Sequence, residues 1–162
     1  MSAWKRICCA IDFAEPSRAA MEEGADLAKR FEADLALVHV RVPPPPAASD
    51  VLVSSRGATE VEAEEQVKAL EEWRADAGRR AGRPAQARVL SGDPAAEVLR
   101  HAREERCDLL VVGTHGRTGL SRMVLGSVAE RIVRQAECPV LVVHDRRSLE
   151  KDREREEVEQ YR

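Results

Sequence analysis

Glycine and hydroxyl residues are concentrated in one short stretch of the chain, GTHGRTGLSRMVLGS, which runs from Gly113 to Ser127. Its glycines stand at positions 113, 116, 119 and 126. Glycine allows positive φ angles and lets a ligand approach main-chain amides closely. Successive N–H groups, followed by the N-terminus of a helix, can form a concave site for anions. The stretch therefore indicates a phosphate-binding loop, with a simple mobile connection as the alternative.

This stretch differs from the two most familiar phosphate-binding loops. It lacks the Gly-Lys-Ser/Thr ending of a P-loop, and its glycines do not follow the G-x-G-x-x-G spacing of dinucleotide-binding folds. Within it, Thr114, His115 and Arg117 would line the cradle, and Arg117 or Arg122 would either neutralise phosphate charge or lie in solvent. A loop histidine without a partner residue is seldom a general acid or base, so we do not predict catalysis by His115.

The elements that must position this loop alternate between strands and helices. Short apolar runs predict strands, and a 3.6-residue period predicts helices. We expect strands at Arg6–Ile11, Asp34–Val40, Gln86–Leu90, Asp108–Gly113 and Pro139–His144, and helices at Glu15–Phe31, Thr59–Ala81, Pro94–Cys107 and from about Ser127. Pro16 suits a first helical turn, Thr59 and Asp93 are predicted N-caps, and Gly82 should end the second helix.

This alternation predicts an α/β fold, a doubly wound five-stranded parallel sheet with helices on both faces. Aromatic residues are only 3% of the 162, so aliphatic residues must build the core. In the fourth helix, Val128, Ile132, Val133 and Ala136 are expected to face inward. Ligands of such folds bind beyond the carboxyl ends of the strands, where the strand order reverses. With an assumed order of 3-2-1-4-5, Asp12 would lie across a cleft from the glycine-rich loop.

Composition excludes several classes of function. The formal net charge is −3 and no long basic block is present, so neither nucleic acid nor an anionic membrane is an expected partner. The N-terminus lacks the apolar length of a signal peptide, and no apolar run is long enough to span a membrane, so a cytoplasmic location is expected. The four cysteines lack CxxC spacing, which favours buried free thiols over a structural metal or a redox pair.

Several residues have a simple structural interpretation. His39 lies in a buried strand and is expected to be a hydrogen-bonded core histidine, and Trp4 and Trp73 are expected to be packing residues. The proline-rich loop Pro43–Arg56 is long enough to be mobile or functional. We divide the chain into a domain at residues 1–146 and a charged tail at residues 147–162, which is either a solvated helix or a partner-binding arm.

The spacing Gly113-x2-Gly116-x9-Gly126-Ser127 resembles the nucleotide-binding pattern of the universal stress protein family. The resemblance extends over about residues 4–145, through AIDFAEPS, LALVHV and GDPAAEVLRHAREERCDLLVVG. The sequence departs from the family at Ala14, where a hydroxyl residue is common. Loss of such a cap is expected to weaken the start of the first helix by about 1 kcal/mol.

This resemblance implies a Rossmann-like domain, similar to the adenine nucleotide alpha hydrolases, that is usually dimeric and in some members binds ATP. It implies that Gly113, Gly116, Gly126 and Ser127, with Thr114, His115, Arg117 and Val128 beside them, hold the phosphates. Ala10, Ile11, Asp12 and Val40 would line the ribose and adenine side, and Asp12 would bind ribose hydroxyls or a Mg²⁺ ion.

The function implied is that of an ATP-binding regulatory protein, with any hydrolysis slow and incidental. The first alternative is a non-enzymatic stress-response module that forms a homodimer through the fifth strand without an obligatory nucleotide. A weaker alternative is an ATP-using enzyme capped by the Pro43–Arg56 loop, although no Ser-His-Asp or paired-carboxylate set is apparent.

Overall fold

A parallel sheet of five strands forms the centre of the protein in the computed structural model, which describes residues 4–43, 56–114 and 125–145. The strands are β1 (Arg6–Ile11), β2 (Asp34–Arg41), β3 (Gln86–Ser91), β4 (Leu109–Gly113) and β5 (Val140–Val143). Their order is β3-β2-β1-β4-β5, and every neighbouring pair is parallel. The predicted fold class and strand order are confirmed, and the order reverses between β1 and β4.

Four helices connect the described strands, namely α1 (Glu15–Phe31), α2 (Arg56–Ala81), α3 (Pro94–Glu104) and α4 (Ser127–Gln135). Three predicted boundary signals are confirmed. Pro16 lies in the first turn of α1, and Gly82 adopts a φ of +70° just after α2. At the start of α3, the Asp93 carboxylate accepts a hydrogen bond from the Ala96 amide at 2.8 Å.

Each face of the sheet carries its own apolar cluster. On the face covered by α1 and α2, the buried residues include Ile7, Met21, Leu37, Leu70 and Val111. On the face covered by α3 and α4, they include Cys8, Val38, Val98, Leu110 and Ile132. Neighbouring residues of β1, β2 and β4 thus point to opposite clusters, as expected for strands buried on both sides. This arrangement leaves only the ends of the central strands available for a site.

The predicted start of α2 is wrong by three residues. Thr59 was expected as the N-cap, with Glu62 at the capping-box spacing, but the helix already begins at Arg56. Arg56 and Ala58 are good helix formers, and the unfavourable residue between them, Gly57, costs only about 1 kcal/mol in a helix. A capping box is a local signal, and a longer helix does not need it.

The expectation for the inward face of α4 is only partly correct. Ile132 is fully buried, whereas Val133 is 46% exposed, because the next residue of a helix points about 100° away. Val128 is 39% exposed, because it lies in the first turn of α4 beside a cavity. In α2, Val67 follows the apolar pattern but is 51% exposed. The buried faces of α2 and α4 are therefore narrower than the apolar pattern of the sequence predicts.

Candidate functional site

A cavity of about 790 Å³ lies at the carboxyl ends of β1, β2 and β4. This is the edge of the sheet at which ligands of open α/β folds bind, at the reversal of strand order. The structure brings to it most of the residues singled out in the sequence, namely Ala10, Ile11, Asp12, Val40, Gly113, Thr114, Gly126, Ser127 and Val128. Residues from both ends of the chain therefore share one cleft.

Asp12 connects the end of β1 to the start of α1. Its Oδ1 accepts hydrogen bonds from the Ser17 hydroxyl at 2.5 Å and from the Ala14 amide at 3.1 Å, and its own amide donates to Ser17 Oγ at 3.0 Å. The Ala14 bond is typical of an Asx turn. Ala14 is the N-cap of α1 and has no side-chain cap. Asp12 and Ser17 therefore connect the end of β1 to the first turn of α1, but they do not replace the missing N-cap hydrogen bond.

The residue after Asp12 adopts an unusual backbone conformation. Phe13 has a φ of +64°, in the left-handed region that costs a side-chain-bearing residue about 1–2 kcal/mol. Its ring packs against His39, with the centroids 4.7 Å apart, and edge-on against Trp73 at 5.4 Å. Aromatic packing on α2 and β2 offsets the strain. Contacts from α1, α2 and β2 therefore hold the turn that carries Asp12.

The opposite wall of the cavity joins the end of β4 to the start of α4. The Gly126 amide donates to the Thr114 carbonyl at 2.7 Å, and the Thr114 amide donates to the Val143 carbonyl at 3.1 Å. Gly126 is the N-cap of α4 and provides no side-chain hydrogen bond. The first amides of a helix have no intrahelical partner and carry partial positive charge. The start of α4 thus presents donors beside the cavity, with the Ser127 hydroxyl next to them.

Gly113 has a packing role that the sequence did not reveal. A Cβ atom at this position would lie 2.7 Å from the carbonyl carbon of Pro16 and 2.8 Å from its oxygen. Those distances are well below van der Waals contact, and the obstructing atoms are backbone. Glycine is therefore required at Gly113 by the close approach of α1 to β4, whether or not a ligand is bound.

His39 and Arg41 line the cavity from the end of β2, and sequence reasoning did not include them in the site. His39 Nδ1 lies 3.0 Å from the Ile11 carbonyl, which can only accept, so Nδ1 carries the proton. In the neutral ring, Nε2 is then an acceptor, and this buried atom has no hydrogen-bond partner. Their spacing in the sequence could have indicated them, because His39 and Arg41 are two residues apart at the end of a strand and therefore lie on the same face of the sheet.

Arg41 places a positive charge at the end of β2, beside the cavity. One of its terminal nitrogens donates to the Ala63 carbonyl of α2 at 3.0 Å, while its buried Nε has no partner. Buried polar atoms normally find hydrogen-bond partners, so the His39 and Arg41 nitrogens are positions that a ligand or water can satisfy.

Apolar side chains form the deeper wall on the α3 and α4 side. Val38, Val98 and Ile132 are almost fully buried and line the cavity together with Val40. A ligand pocket is typically apolar with a few polar groups at defined positions. Here the apolar wall shares the cavity with Asp12 and with the start of α4.

Known proteins with similar sequences identify the family of this chain. The sequence model of the Universal stress protein family matches residues 3–144. The chain belongs to the universal stress protein family. A universal stress protein of Methanocaldococcus jannaschii is 37% identical over 147 residues, which cover 86% of this chain and 82% of that protein. The resemblance seen in the sequence is therefore confirmed.

Solved structures of other family members share the fold of this universal stress protein. The UspA protein of Lactobacillus plantarum has a TM-score of 0.76 at 22% identity, with coverage of 88% of this chain and 99% of that one. A universal stress protein in complex with cAMP has a TM-score of 0.65 at 24% identity, with coverage of 89% and 99%. At sequence identities this low, the similarity to the two solved structures shows a common fold.

Part of the predicted phosphate loop lies outside the described residues, namely His115, Gly116, Arg117, Gly119 and Arg122, as does the tail at residues 147–162. Among residues 4–43, 56–114 and 125–145, no group of three or more His, Cys, Asp or Glu side chains is arranged to hold a metal ion. Within the same ranges, no helix combines the length and apolar character needed to cross a membrane.

Proposed function

We propose that this universal stress protein is a regulatory protein that binds an adenine nucleotide, with ATP as the expected ligand, in the cavity at the carboxyl edge of the sheet. The observation that supports the proposal is that Asp12 and the start of α4 line one cavity of about 790 Å³. That volume lies in the range of small-molecule and cofactor sites. A family member of the same fold is known in complex with cAMP.

Each part of a nucleotide has a suitable partner in this cavity. Val40, Val98 and Ile132 offer an apolar wall for the base. Asp12 would accept hydrogen bonds from ribose hydroxyls, and the amides that follow Gly126 would bind phosphate oxygens. The glycine pattern of residues 113–127 would complete the phosphate site through Gly116 and its neighbours.

Magnesium would reduce the repulsion between Asp12 and a triphosphate. Mg²⁺ is commonly held by one or two carboxylates together with substrate phosphates, so a single aspartate suffices if the phosphates supply the remaining ligands. Asp12 fits that donor set, since it lines the cavity that would hold the phosphates.

Isothermal titration calorimetry tests the proposal directly. We expect saturable binding of ATP with Mg²⁺, and weaker binding of ATP when EDTA removes the metal. Titration of ADP, AMP and cAMP alongside ranks the contribution of the phosphates. Failure of folded protein to bind any adenine nucleotide at millimolar concentration would exclude the proposed function.

The proposed role is regulatory, since nucleotide binding would change the conformation or the partners of the protein and hydrolysis would be slow. A malachite green assay of phosphate release over hours measures the hydrolysis rate. Rapid turnover with a defined acceptor molecule would instead favour an ATP-using enzyme.

A second candidate function, as a homodimeric interaction module, is supported by the edge of the sheet. β5 is the last strand in the described order, and its residues Val140–Val143 are all only half-buried. On neighbouring α4, Val133 is 46% exposed. An apolar edge strand tends to pair with another chain, and a two-fold axis would allow β5 to pair with its own copy.

Sedimentation velocity distinguishes the two candidates when it is run with and without ATP. A dimer at micromolar concentration in both conditions supports the interaction module, and a monomer in both conditions excludes it. Dimerisation only with ATP would show that nucleotide binding controls assembly.

A further inference from the structure

A second cavity, of about 320 Å³, lies at the opposite edge of the sheet, near the start of β4 and β5. It is bordered by the end of α3 and by the segment between α4 and β5. Both half-buried cysteines of the described chain, Cys107 and Cys138, line it. Both were expected to be buried free thiols, but they are only half-buried, and the fold places them around one open space.

Strand pairing brings these two cysteines to the same end of the sheet. Leu110 of β4 is paired with Val140 of β5, and the Leu110 amide donates to the Pro139 carbonyl at 3.0 Å. Cys107 lies two residues before β4, and Cys138 lies two residues before β5. Both side chains pack against the apolar cluster on the α3 and α4 face. A disulfide between them needs their Cα atoms to come within about 7 Å of each other.

An ion pair holds the two cysteine-bearing segments together at this cavity. Arg103, in the last turn of α3, lies 2.9 Å from the carboxylate of Glu137, which directly precedes Cys138. Arg103 and Glu137 both line the cavity. This exposed ion pair shows that the two cysteine-bearing segments are neighbours at the cavity.

The four thiols differ in acidity. A hydrogen bond from the Cys8 thiol lowers the pKa of Cys107. The positive charge of Arg6 acts in the same direction, whereas burial and the carboxylates of Glu105 and Asp108 act against it. Burial raises the pKa of Cys138, and it raises the pKa of Cys9 to about 12. The pKa of Cys8 is also raised, first by its interaction with Cys107. Since the thiolate is the nucleophile, Cys107 is the thiol most ready to react.

We propose that Cys107 and Cys138 form a dithiol modification site, in which a hydroperoxide oxidises Cys107 and Cys138 then closes an intramolecular disulfide. In the first step, the Cys107 thiolate attacks one peroxide oxygen, an S–O bond forms and the O–O bond breaks. Cys107 sulfur is oxidised to a sulfenic acid, and the departing hydroxide or alkoxide takes up a proton.

In the second step, Cys138 sulfur attacks the Cys107 sulfenic acid. The S–S bond forms and the S–O bond breaks, and the hydroxide leaves as water with the proton from Cys138. The net change is loss of two hydrogens from the protein and reduction of one hydroperoxide to water and an alcohol, or to two waters. The disulfide would tie the end of α3 to the start of β5.

Cys8 is the less suitable partner for Cys107, although their thiols interact. In the β1–β4 register, Cys8 is paired with Leu110, which lies three residues beyond Cys107. Cys8 is also paired with Ala36 of β2, so strands on both sides hold its backbone and it cannot move toward Cys107 without breaking the sheet. Cys8 is also fully buried in the centre of the sheet.

The test treats folded, fully reduced protein with hydrogen peroxide or an alkyl hydroperoxide and then alkylates the remaining thiols. We expect two of the four cysteines to become protected, a mass lower by two hydrogens, and a peptide pair linked through Cys107 and Cys138. Absence of oxidation, a bond between chains, or a link from Cys107 to Cys8 would each overturn the proposal.

Single substitutions separate the two roles. In Cys138→Ser, a Cys107 sulfenic acid should persist and be captured by dimedone, whereas Cys107→Ser should lose the peroxide reaction. Cys9→Ala is the matched control and should form the disulfide as the unsubstituted protein does. If a variant does not fold, differential alkylation of the unsubstituted protein still ranks the thiols, and slower labelling of Cys107 than of Cys138 would contradict the proposal. No nucleotide is used, so the outcome is independent of the proposed function.

Discussion

At the scale of single residues, Gly113 and Gly126 belong to one sequence pattern but have different structural roles. Gly113 is required by the backbone of Pro16, which leaves no room for a Cβ atom. Gly126 has φ −57° and ψ 148°, a conformation that any residue adopts, so its backbone does not demand glycine. Close approach of a ligand to the start of α4 would explain the missing side chain at Gly126.

The substitution Gly113→Ala should destabilise the fold, because the added methyl group meets main-chain atoms that cannot rotate away. We expect a loss of about 1–3 kcal/mol in the free energy of unfolding, measured by urea denaturation. Gly126→Ala, made in parallel, should cost less. Equal losses in the two variants would contradict the packing role assigned to Gly113.

The substitution Gly126→Val should instead affect binding, because a β-branched side chain at the N-cap of α4 would cover the amides proposed to hold phosphate. Calorimetry should show at least a tenfold loss of ATP affinity, equal to about 1.4 kcal/mol. Circular dichroism and a cooperative melt serve as the control for folding. Unchanged affinity in a folded variant would show that phosphate does not contact Gly126.

At the scale of elements, α1 and α2 are joined by ion pairs above the apolar cluster. Arg18 of α1 lies 2.7 Å from the carboxylate of Asp76 in α2, and its guanidinium lies 5.2 Å from the centre of the Trp73 ring. A second pair, Arg80 with Asp26, also crosses between the helices, at 2.7 Å. Because Trp73 also supports Phe13, this helix pair holds the turn that carries Asp12.

The substitution Asp76→Asn should make stability less dependent on acid pH. The hydrogen bond from Arg18 lowers the pKa of Asp76 in the folded protein. A lowered carboxyl pKa stabilises the fold above the unfolded pKa, about 3.9, and that stability is lost as the pH falls through the folded value. We expect the variant to be less stable by about 0.5–1 kcal/mol at pH 7, with the difference vanishing in acid.

Urea titrations between neutral and acid pH measure this effect on the helix pair. Glu71→Gln is a suitable control, because Glu71 pairs with Arg74 within the exposed surface of α2 and does not join two elements. The control should change stability less than Asp76→Asn. A pH-independent difference between Asp76→Asn and the unsubstituted protein would contradict the assignment.

At the scale of the whole molecule, the two cavities lie at opposite edges of one sheet. The larger is formed at the carboxyl ends of the strands and the smaller near the start of β4 and β5. No described residue lines both cavities. Nucleotide binding at one edge and thiol oxidation at the other can therefore be measured separately.

Nucleotide binding should raise the stability of the molecule by mass action. At 100 times its dissociation constant, a ligand specific for the folded state adds about 2.7 kcal/mol to the free energy of unfolding. Thermal melts with and without ATP and Mg²⁺ should show this increase in both the reduced and the peroxide-oxidised protein. Loss of the increase on oxidation would show that the two edges are coupled.

Local signals predicted much of this fold and part of the site. Apolar runs and helical periodicity placed the five strands to within about one residue, and burial on both faces gives the central strands β1, β2 and β4 their nearly continuous apolar pattern. The general rule for strand order correctly indicated that Asp12 and Thr114 line one cavity. The predicted start of α2 and the predicted inward position of Val133 were wrong, because the length of a helix and the width of its buried face depend on the elements that pack against it.

The sequence by itself determined the family, the α/β class and the edge of the sheet at which the larger cavity lies, because strand and helix periods are local properties of the chain. Only the tertiary structure decided which residues share a space. It placed His39 and Arg41 in the larger cavity, set Pro16 against Gly113, and brought Cys107 and Cys138 to one smaller cavity. These contacts join residues distant in sequence or depend on side-chain direction, and such relations arise only when the strands align in register.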